Sequence, residues 1–328
     1  MTDPFVRPDV RAMLDMLAAM PGPKLHELEP TAARAQYVMM KELADLPLGD
    51  LAEVRDLAIP GPAGDVPARL FDAKASREPG PVVVFYHGGG FVIGDIDSHA
   101  NFCGEMARLL DLPVISIDYR LGPECPWPAA PDDCEAATRW IAGSPAELGR
   151  TATSLVLAGD SAGGNLAIVT AAALRDDPAA APVIAHLPIY PATDTSKPYP
   201  SYDLFSEGFL LTHDSMAWFD KGYAADKAHH RASPLLGDLH GMPPAVVVTA
   251  SLDPIRDQGR AYAGALIAAG VPTVFREAVG NVHGFITLRK AIPSAGGDVA
   301  GMMAALKAVI VEAEGHRVMA QAARGSAG

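Results

Sequence analysis

Two rhythms of apolar residues divide the chain. Before about residue 50 they recur at helical spacing. Val10, Met13, Leu14, Leu17 and Met20 fall between Pro8 and Pro21, and a second run over 31–46 carries Tyr37, Val38, Met39 and Met40. No strand-like run accompanies these helices, so their apolar faces must pack on something later in the chain. They serve either as plain packing helices or as a mobile cap over a pocket, with methionine as an adaptable lining. From about residue 51 the rhythm changes. Residues 53–59 and 66–71 read as two strands joined by Pro60-Gly61-Pro62-Ala63-Gly64. Strand and helix then alternate. The strands are 81–86, 114–118, 155–158, 183–189, 245–249 and 273–278. The helices are 101–110, 132–141, 165–174, 212–223, 254–269 and 298–323. This alternation predicts a mostly parallel sheet with helices on both faces, and the opening pair adds an antiparallel edge. The strand at 272–278 reads as an exposed edge that makes a homodimer plausible. Between 190 and 245 the alternation lapses. That stretch carries Tyr190, Tyr199, Tyr202, Phe205, Phe209 and Trp218, as an insertion forming a lid or binding wall would.

Composition narrows the classes. The 328 residues are 49% hydrophobic and 20% charged, and the net charge is −13 without a long basic run. This argues against nucleic acid and anionic membranes as partners. The three cysteines, Cys103, Cys125 and Cys134, have no metal-like spacing and read as reduced thiols. The start, Met1-Thr2-Asp3-Pro4, lacks a basic region followed by an apolar core, and no apolar run is long enough for a bilayer, so a cytoplasmic location is expected. The tail at 325–328 is expected to fray.

The chemistry centres on Gly159-Asp160-Ser161-Ala162-Gly163-Gly164, which follows a short apolar run and opens a helix. A glycine-flanked serine between strand and helix is either an ordinary bend or a nucleophile pushed out above the sheet, beside a helix N-terminus. A nucleophilic serine needs a base, and the base an orienting acid. In sheets of this kind the order along the chain is serine, acid, histidine. That leaves His283 and His316 as bases. His283 follows a strand, between Gly280 and Gly284, where active-site loops collect, whereas His316 sits in the closing helix. Asp253 follows the run 246–252 and is the preferred acid. Asp257, a turn into the next helix, competes with it, and Asp253 also suits an N-cap. His87-Gly88-Gly89-Gly90 after the strand 81–86 offers backbone N–H groups to an oxyanion together with that of Ala162. Gly88, Gly89 and Gly90 are all candidate donors. His87 reads as an anchor for the loop. Phe91, Trp127, Asp160, Tyr190, Phe205 and Phe209 are candidate walls of the substrate pocket.

These motifs, with Asp118-Tyr119-Arg120-Leu121-Gly122-Pro123-Glu124, Pro128-Ala129-Ala130 and His283-Gly284-Phe285, occur in an order that resembles the hormone-sensitive-lipase-like family of α/β-hydrolases, the bacterial family IV carboxylesterases. The resemblance implies an α/β-hydrolase fold with a mostly parallel eight-stranded sheet over 51–328. It also implies a helical cap from 1–50, to which 191–243 contributes. It further implies a serine esterase acting on short- to medium-chain esters through Ser161, Asp253 and His283, with the amides of Gly89, Gly90 and Ala162 as its oxyanion hole and Gly88 as a further candidate, and without cofactor or metal. An amide or N-acetyl hydrolase on the same residues is the alternative within enzymes. A small-molecule receptor on this fold is the alternative outside them. One departure stands out. Where the family shows Gly-Met before the histidine, this chain has Gly280-Asn281-Val282.

Overall fold

The structure is a computed structural model that describes residues 4–325, so the first three residues and the tail from 326 onward, where fraying was expected, lie outside it. Its strands are β1 (Glu53–Gly61), β2 (Gly64–Asp72), β3 (Gly80–Tyr86), β4 (Val114–Ile117), β5 (Ala152–Asp160), β6 (Val183–Ile189), β7 (Ala245–Leu252) and β8 (Thr273–Val282). They form one sheet in the order β1-β2-β4-β3-β5-β6-β7-β8. The first two strands and the β2–β4 pair are antiparallel, and every later pairing is parallel. The expected antiparallel edge is therefore present, and β8 forms the opposite edge with Phe275 and Val279 exposed.

The helices are α1 (Pro8–Ala19), α2 (Pro30–Ala44), α3 (Ile96–Leu110), α4 (Ala129–Ala142), α5 (Ala162–Asp176), α6 (Pro200–Phe205), α7 (His213–Tyr223), α8 (Arg256–Ala268) and α9 (Ala295–Gly325). The period-two direction of strand side chains sorts them into two layers. Val82, Val84 and Tyr86 of β3 face a core shared with α4, α5 and α8. Val83 and Phe85 face the other, shared with α1, α3 and α9. Buried on both faces, the central strands are apolar almost throughout, as parallel strands under helices must be. A third, small cluster lies above the sheet. Ala33 of α2, Val92 and Ile93 after the glycine loop, and Trp218 and Phe219 of α7 meet there. Among the described residues no helix is long and apolar enough to cross a membrane.

Several expected boundaries move, and three of the differences have a clear local reason. α3 starts five residues earlier, because Asp95 accepts from the Ser98 N–H at 2.7 Å while Ser98 Oγ accepts from the Asp95 N–H, a reciprocal cap written entirely in polar residues. The 190–245 stretch is less irregular than expected. It holds α6, too short to show a period, besides α7. β8 runs on to Val282 because a bulge, described below, lets it pass Gly280.

Candidate active site

The strand-to-helix bend after β5 is fixed by contacts too close for side chains. A Cβ on Gly163 would run into the Tyr86 carbonyl oxygen of β3, and one on Gly159 into the Gly163 carbonyl. Only glycine lets α5 settle this tightly onto the sheet. The bend leaves Ser161 at φ 55° and ψ −115°, a strained conformation for a residue with a Cβ. The Ser161 N–H donates to the Ile189 carbonyl of β6 at 2.8 Å, and its own carbonyl accepts from Asn165 and Ala192. Asn165 Nδ2 in turn donates to the carbonyls of Ala192 and Ala232, tying the loops after β6 to α5. The surroundings over-determine the bend, which is how such strain persists.

Strand ends bring the other two groups to the serine. Ser161 Oγ lies 2.8 Å from His283 Nε2, and His283 Nδ1 lies 2.7 Å from Asp253 Oδ2. Asp253 is fully buried at the end of β7, and its second oxygen accepts from the Ile255 N–H at 2.9 Å. The carboxylate thus contacts the imidazole with one oxygen and closes its own turn with the other; the N-cap of α8 is Ile255, with no side-chain cap, so the expected capping role is not the one Asp253 takes. Asp257 is engaged elsewhere: it accepts from the Ser201 N–H of α6 and from Arg256. His316 is exposed on α9. An ionised carboxylate only accepts, so Nδ1 carries the proton toward Asp253 and Nε2 offers its lone pair to the hydroxyl. Such a chain can draw a proton from Ser161 and hold the resulting imidazolium.

The glycine loop lies alongside. Gly89 and Gly90 have φ of 122° and 60°, values open to glycine. Among the described residues their N–H groups, like that of Ala162, donate to no protein acceptor. Gly88 differs. Its N–H already donates to Asp160 Oδ1 at 2.7 Å, which removes it from the donors open to a ligand. Asp160 is accordingly no pocket wall. Its carboxylate is buried beneath the loop, with the Tyr190 hydroxyl 3.3 Å and His99 Nε2 3.2 Å away. Phe91 is not a wall either, whereas Trp127 is half-buried and stays a candidate. Phe91 stacks on Tyr223 at 3.8 Å within the main core, and Trp127 packs edge-on against His229. Tyr190 lies beside the His283 ring at 4.6 Å, and Phe205 meets Phe209 edge-on at 5.4 Å. Sequence reasoning missed Phe219, whose ring sits against Gly90 where a Cβ would otherwise be. The available signal was its helical register next to Trp218.

His87 anchors the loop as expected. Its Nδ1 contacts the Gly88 carbonyl at 2.8 Å, its ring stacks on Tyr119, and the Tyr119 hydroxyl donates to its carbonyl at 2.6 Å. Burial pulls its pKa down to about 4, and burial does the same to His186 of β6. Both stay neutral when folded, whereas the unfolded chain takes up protons near pH 6.5. Stability is therefore lost as pH falls from 6.5 toward 4, by about 2 kcal/mol per histidine at pH 5. Asp118, held up to about 6 chiefly by burial, works in the opposite sense. A third of its side chain is exposed, which reduces its share. The melting temperature is expected to fall by roughly 5 °C between pH 7 and pH 5. His186→Gln should recover more than half the fall, since Asp118 offsets part of the two histidines' sum. An unchanged pH slope in that variant would rule out the buried-histidine account.

Comparison with known proteins places the chain in a family. Residues 83–287 match the family profile described as the α/β-hydrolase fold. The chain is 39% identical to carboxylic ester hydrolase LipN of Mycobacterium tuberculosis over 88% of its own length and 73% of the relative's. It is 36% identical to carboxylesterase NlhH of the same organism, over 94% of this chain and 98% of that one. Among solved structures, ester hydrolase EH1AB1 from the metagenome of Lake Arreo, complexed with a bipyridine phosphonate derivative, superposes with a TM-score of 0.88 at 38% identity. That match covers 92% of this chain and 98% of the other. The chain belongs to the hormone-sensitive-lipase-like carboxylesterases of the α/β-hydrolase fold, and it is a carboxylic ester hydrolase.

Proposed function

We infer that Ser161 is the nucleophile of this ester hydrolase, with His283 as base and Asp253 as its orienting acid, and that its substrates are short- to medium-chain esters. The observation that carries the reading is the unbroken run of hydrogen bonds from Ser161 Oγ through the imidazole to Asp253. His283 Nε2 takes the hydroxyl proton as Oγ attacks the ester carbonyl. The tetrahedral oxyanion is received by the N–H groups of Gly89, Gly90 and Ala162, and a hole of this kind lowers the barrier by about 3 kcal/mol per donor. The imidazolium then protonates the departing alcohol, the C–O bond breaks, and an acyl-enzyme on Ser161 remains. Water, deprotonated by the same Nε2, releases the acid.

Residues 1–50 and 191–243 form the cap in this reading. What supports it is the cluster in which Leu25, Leu28, Ala33 and Tyr37 meet Trp218 and Phe219 above the glycine loop. Phe219 on Gly90 would close the acyl side and limit chain length.

The test is a series of p-nitrophenyl esters from acetate to palmitate, run beside matched anilides. kcat/KM is expected to peak at short to medium acyl chains and to be far lower on anilides. An organophosphonate should add one equivalent of mass at Ser161. An enzyme that prefers anilides, or labels at another residue, would count against the reading.

A further inference from the structure

The chain departs from its family's pattern just before His283, and the structure shows what the departure does. β7 and β8 pair regularly to Ala250 and Ala278, then resume at Leu252 and Val282. One residue on β7 thus faces three on β8, Val279, Gly280 and Asn281. This is a bulge, and bulges beside active sites re-aim the side chain that follows them. Here that side chain is His283. Gly280, at φ 76°, donates its N–H to Ser251 Oγ at 2.7 Å. The outward carbonyls of the bulge have no ladder partner, because β8 is the edge of the sheet.

The N-terminal arm supplies those partners. The Arg7 N–H donates to the Gly280 carbonyl at 3.2 Å, and Arg7 Nε donates to the Val279 carbonyl at 2.7 Å. The rest of the guanidinium forks onto Asp298 in the first turn of α9, at 2.6 and 3.0 Å. Asn281 completes the circuit. Fully buried, it donates from Nδ2 to Asp298 Oδ2 at 3.1 Å and accepts the Val282 N–H at 3.0 Å. An apolar residue at 281 could make neither bond. Phe5 lies against Gly280, and Asp9 accepts from the N–H and hydroxyl of Ser294, so the arm is fastened on both sides of Arg7. A bidentate arginine–carboxylate pair fixes direction as well as distance.

We propose that Arg7, with Asn281 and Asp298, is a positioning residue for His283: the N-terminal arm holds the bulge that aims the imidazole at Ser161. The proposal rests on His283 being the base. It assigns the arm a role in kcat, whereas an arm that only roofs the pocket would act on substrate binding and KM.

The experiment uses the full chain with p-nitrophenyl butyrate and, in parallel, the rate of Ser161 phosphorylation by p-nitrophenyl diethyl phosphate. Arg7→Ala is expected to lower kcat about tenfold with KM within about twofold, and to slow phosphorylation equally, since a small misplacement of a catalytic group is amplified in rate. Arg7→Lys keeps the charge toward Asp298 but loses the fork, so its kcat should be intermediate. Asn281→Leu keeps the volume and removes both hydrogen bonds; it should lower kcat several-fold, less than additively with Arg7→Ala. Arg139→Ala, which breaks a surface ion pair with Glu135 on α4, should leave kcat unchanged. If Arg7→Ala does not fold, Arg7→Lys and Asn281→Leu decide. Folded variants with wild-type kcat and phosphorylation rates, whatever their melting temperature, would overturn the proposal, as would a change confined to KM. Failure of the underlying reading looks different: His283→Ala would keep wild-type kcat.

Discussion

Ser161→Ala is expected to lower kcat on p-nitrophenyl acetate by about 10⁵- to 10⁶-fold, to a residue set by binding and the oxyanion donors alone. Among the described residues the Ser161 hydroxyl is the one side-chain group hydrogen-bonded to His283 Nε2, so nothing there replaces it as nucleophile. The effects of the three residues should not add, because they act as one unit. Ser161→Ala combined with His283→Ala should cost scarcely more than either change alone. The fold should be unaffected. Alanine keeps the Cβ that already tolerates φ 55°, and the bonds that pin the bend, from the 161 N–H to Ile189 and from Asn165 and Ala192 to the 161 carbonyl, are all backbone. The melting temperature is therefore expected to stay within a few degrees of wild type. Ser161→Gly, by contrast, should be more stable than Ser161→Ala, since glycine relieves the strained backbone. Residual kcat within a hundredfold of wild type in rigorously purified Ser161→Ala would end the assignment of the nucleophile.

Much of this was legible in the sequence, and what was missed follows a physical rule. Strand runs such as 81–86 and 183–189 announce themselves because both faces are buried, and the elements found there match to within a residue. Ser161, Asp253 and His283 could be sorted from competitors because chain order and strand ends are written linearly. Contacts across the fold are not. That Gly88 spends its N–H on Asp160 depends on two strand ends, β3 and β5, lying side by side. That Phe91 turns into the core to meet Tyr223, rather than lining a pocket, depends on α7 folding back over the loop. Asn281 illustrates the difference best. In sequence it is a polar residue where an apolar one is usual, with no partner in sight. Its partners, Asp298 and through it Arg7, lie 17 and 274 positions away along the chain.

Asp253→Asn is expected to lower kcat by about 10⁴-fold while leaving KM and the fold nearly unchanged. Asparagine is nearly isosteric, and its carbonyl oxygen can still accept the Ile255 N–H that closes the turn after β7. Its amide then faces His283 Nδ1 as a donor where the carboxylate accepted. Nδ1 must give up its proton to accept that bond, so the neutral ring carries its hydrogen on Nε2, pointing at Ser161 Oγ. A protonated Nε2 cannot take the hydroxyl proton, and no buried charge remains to stabilise the imidazolium. Asp257→Asn is the informative contrast. Asp257 lies just beyond, in the first turn of α8, and serves Ser201 and the Arg256 and Arg260 guanidinium groups. Burial works against its charge, yet those partners hold its pKa below the usual carboxylate range, so it is ionised at neutral pH. Its loss should cost stability where α6 meets α8 and leave kcat within a few-fold of wild type. Parallel measurement of kcat and melting temperature separates the two. Should Asp257→Asn prove the more damaging to kcat, the acid has been misassigned, and the path from Asp253 through His283 to Ser161 is not the one the proton takes.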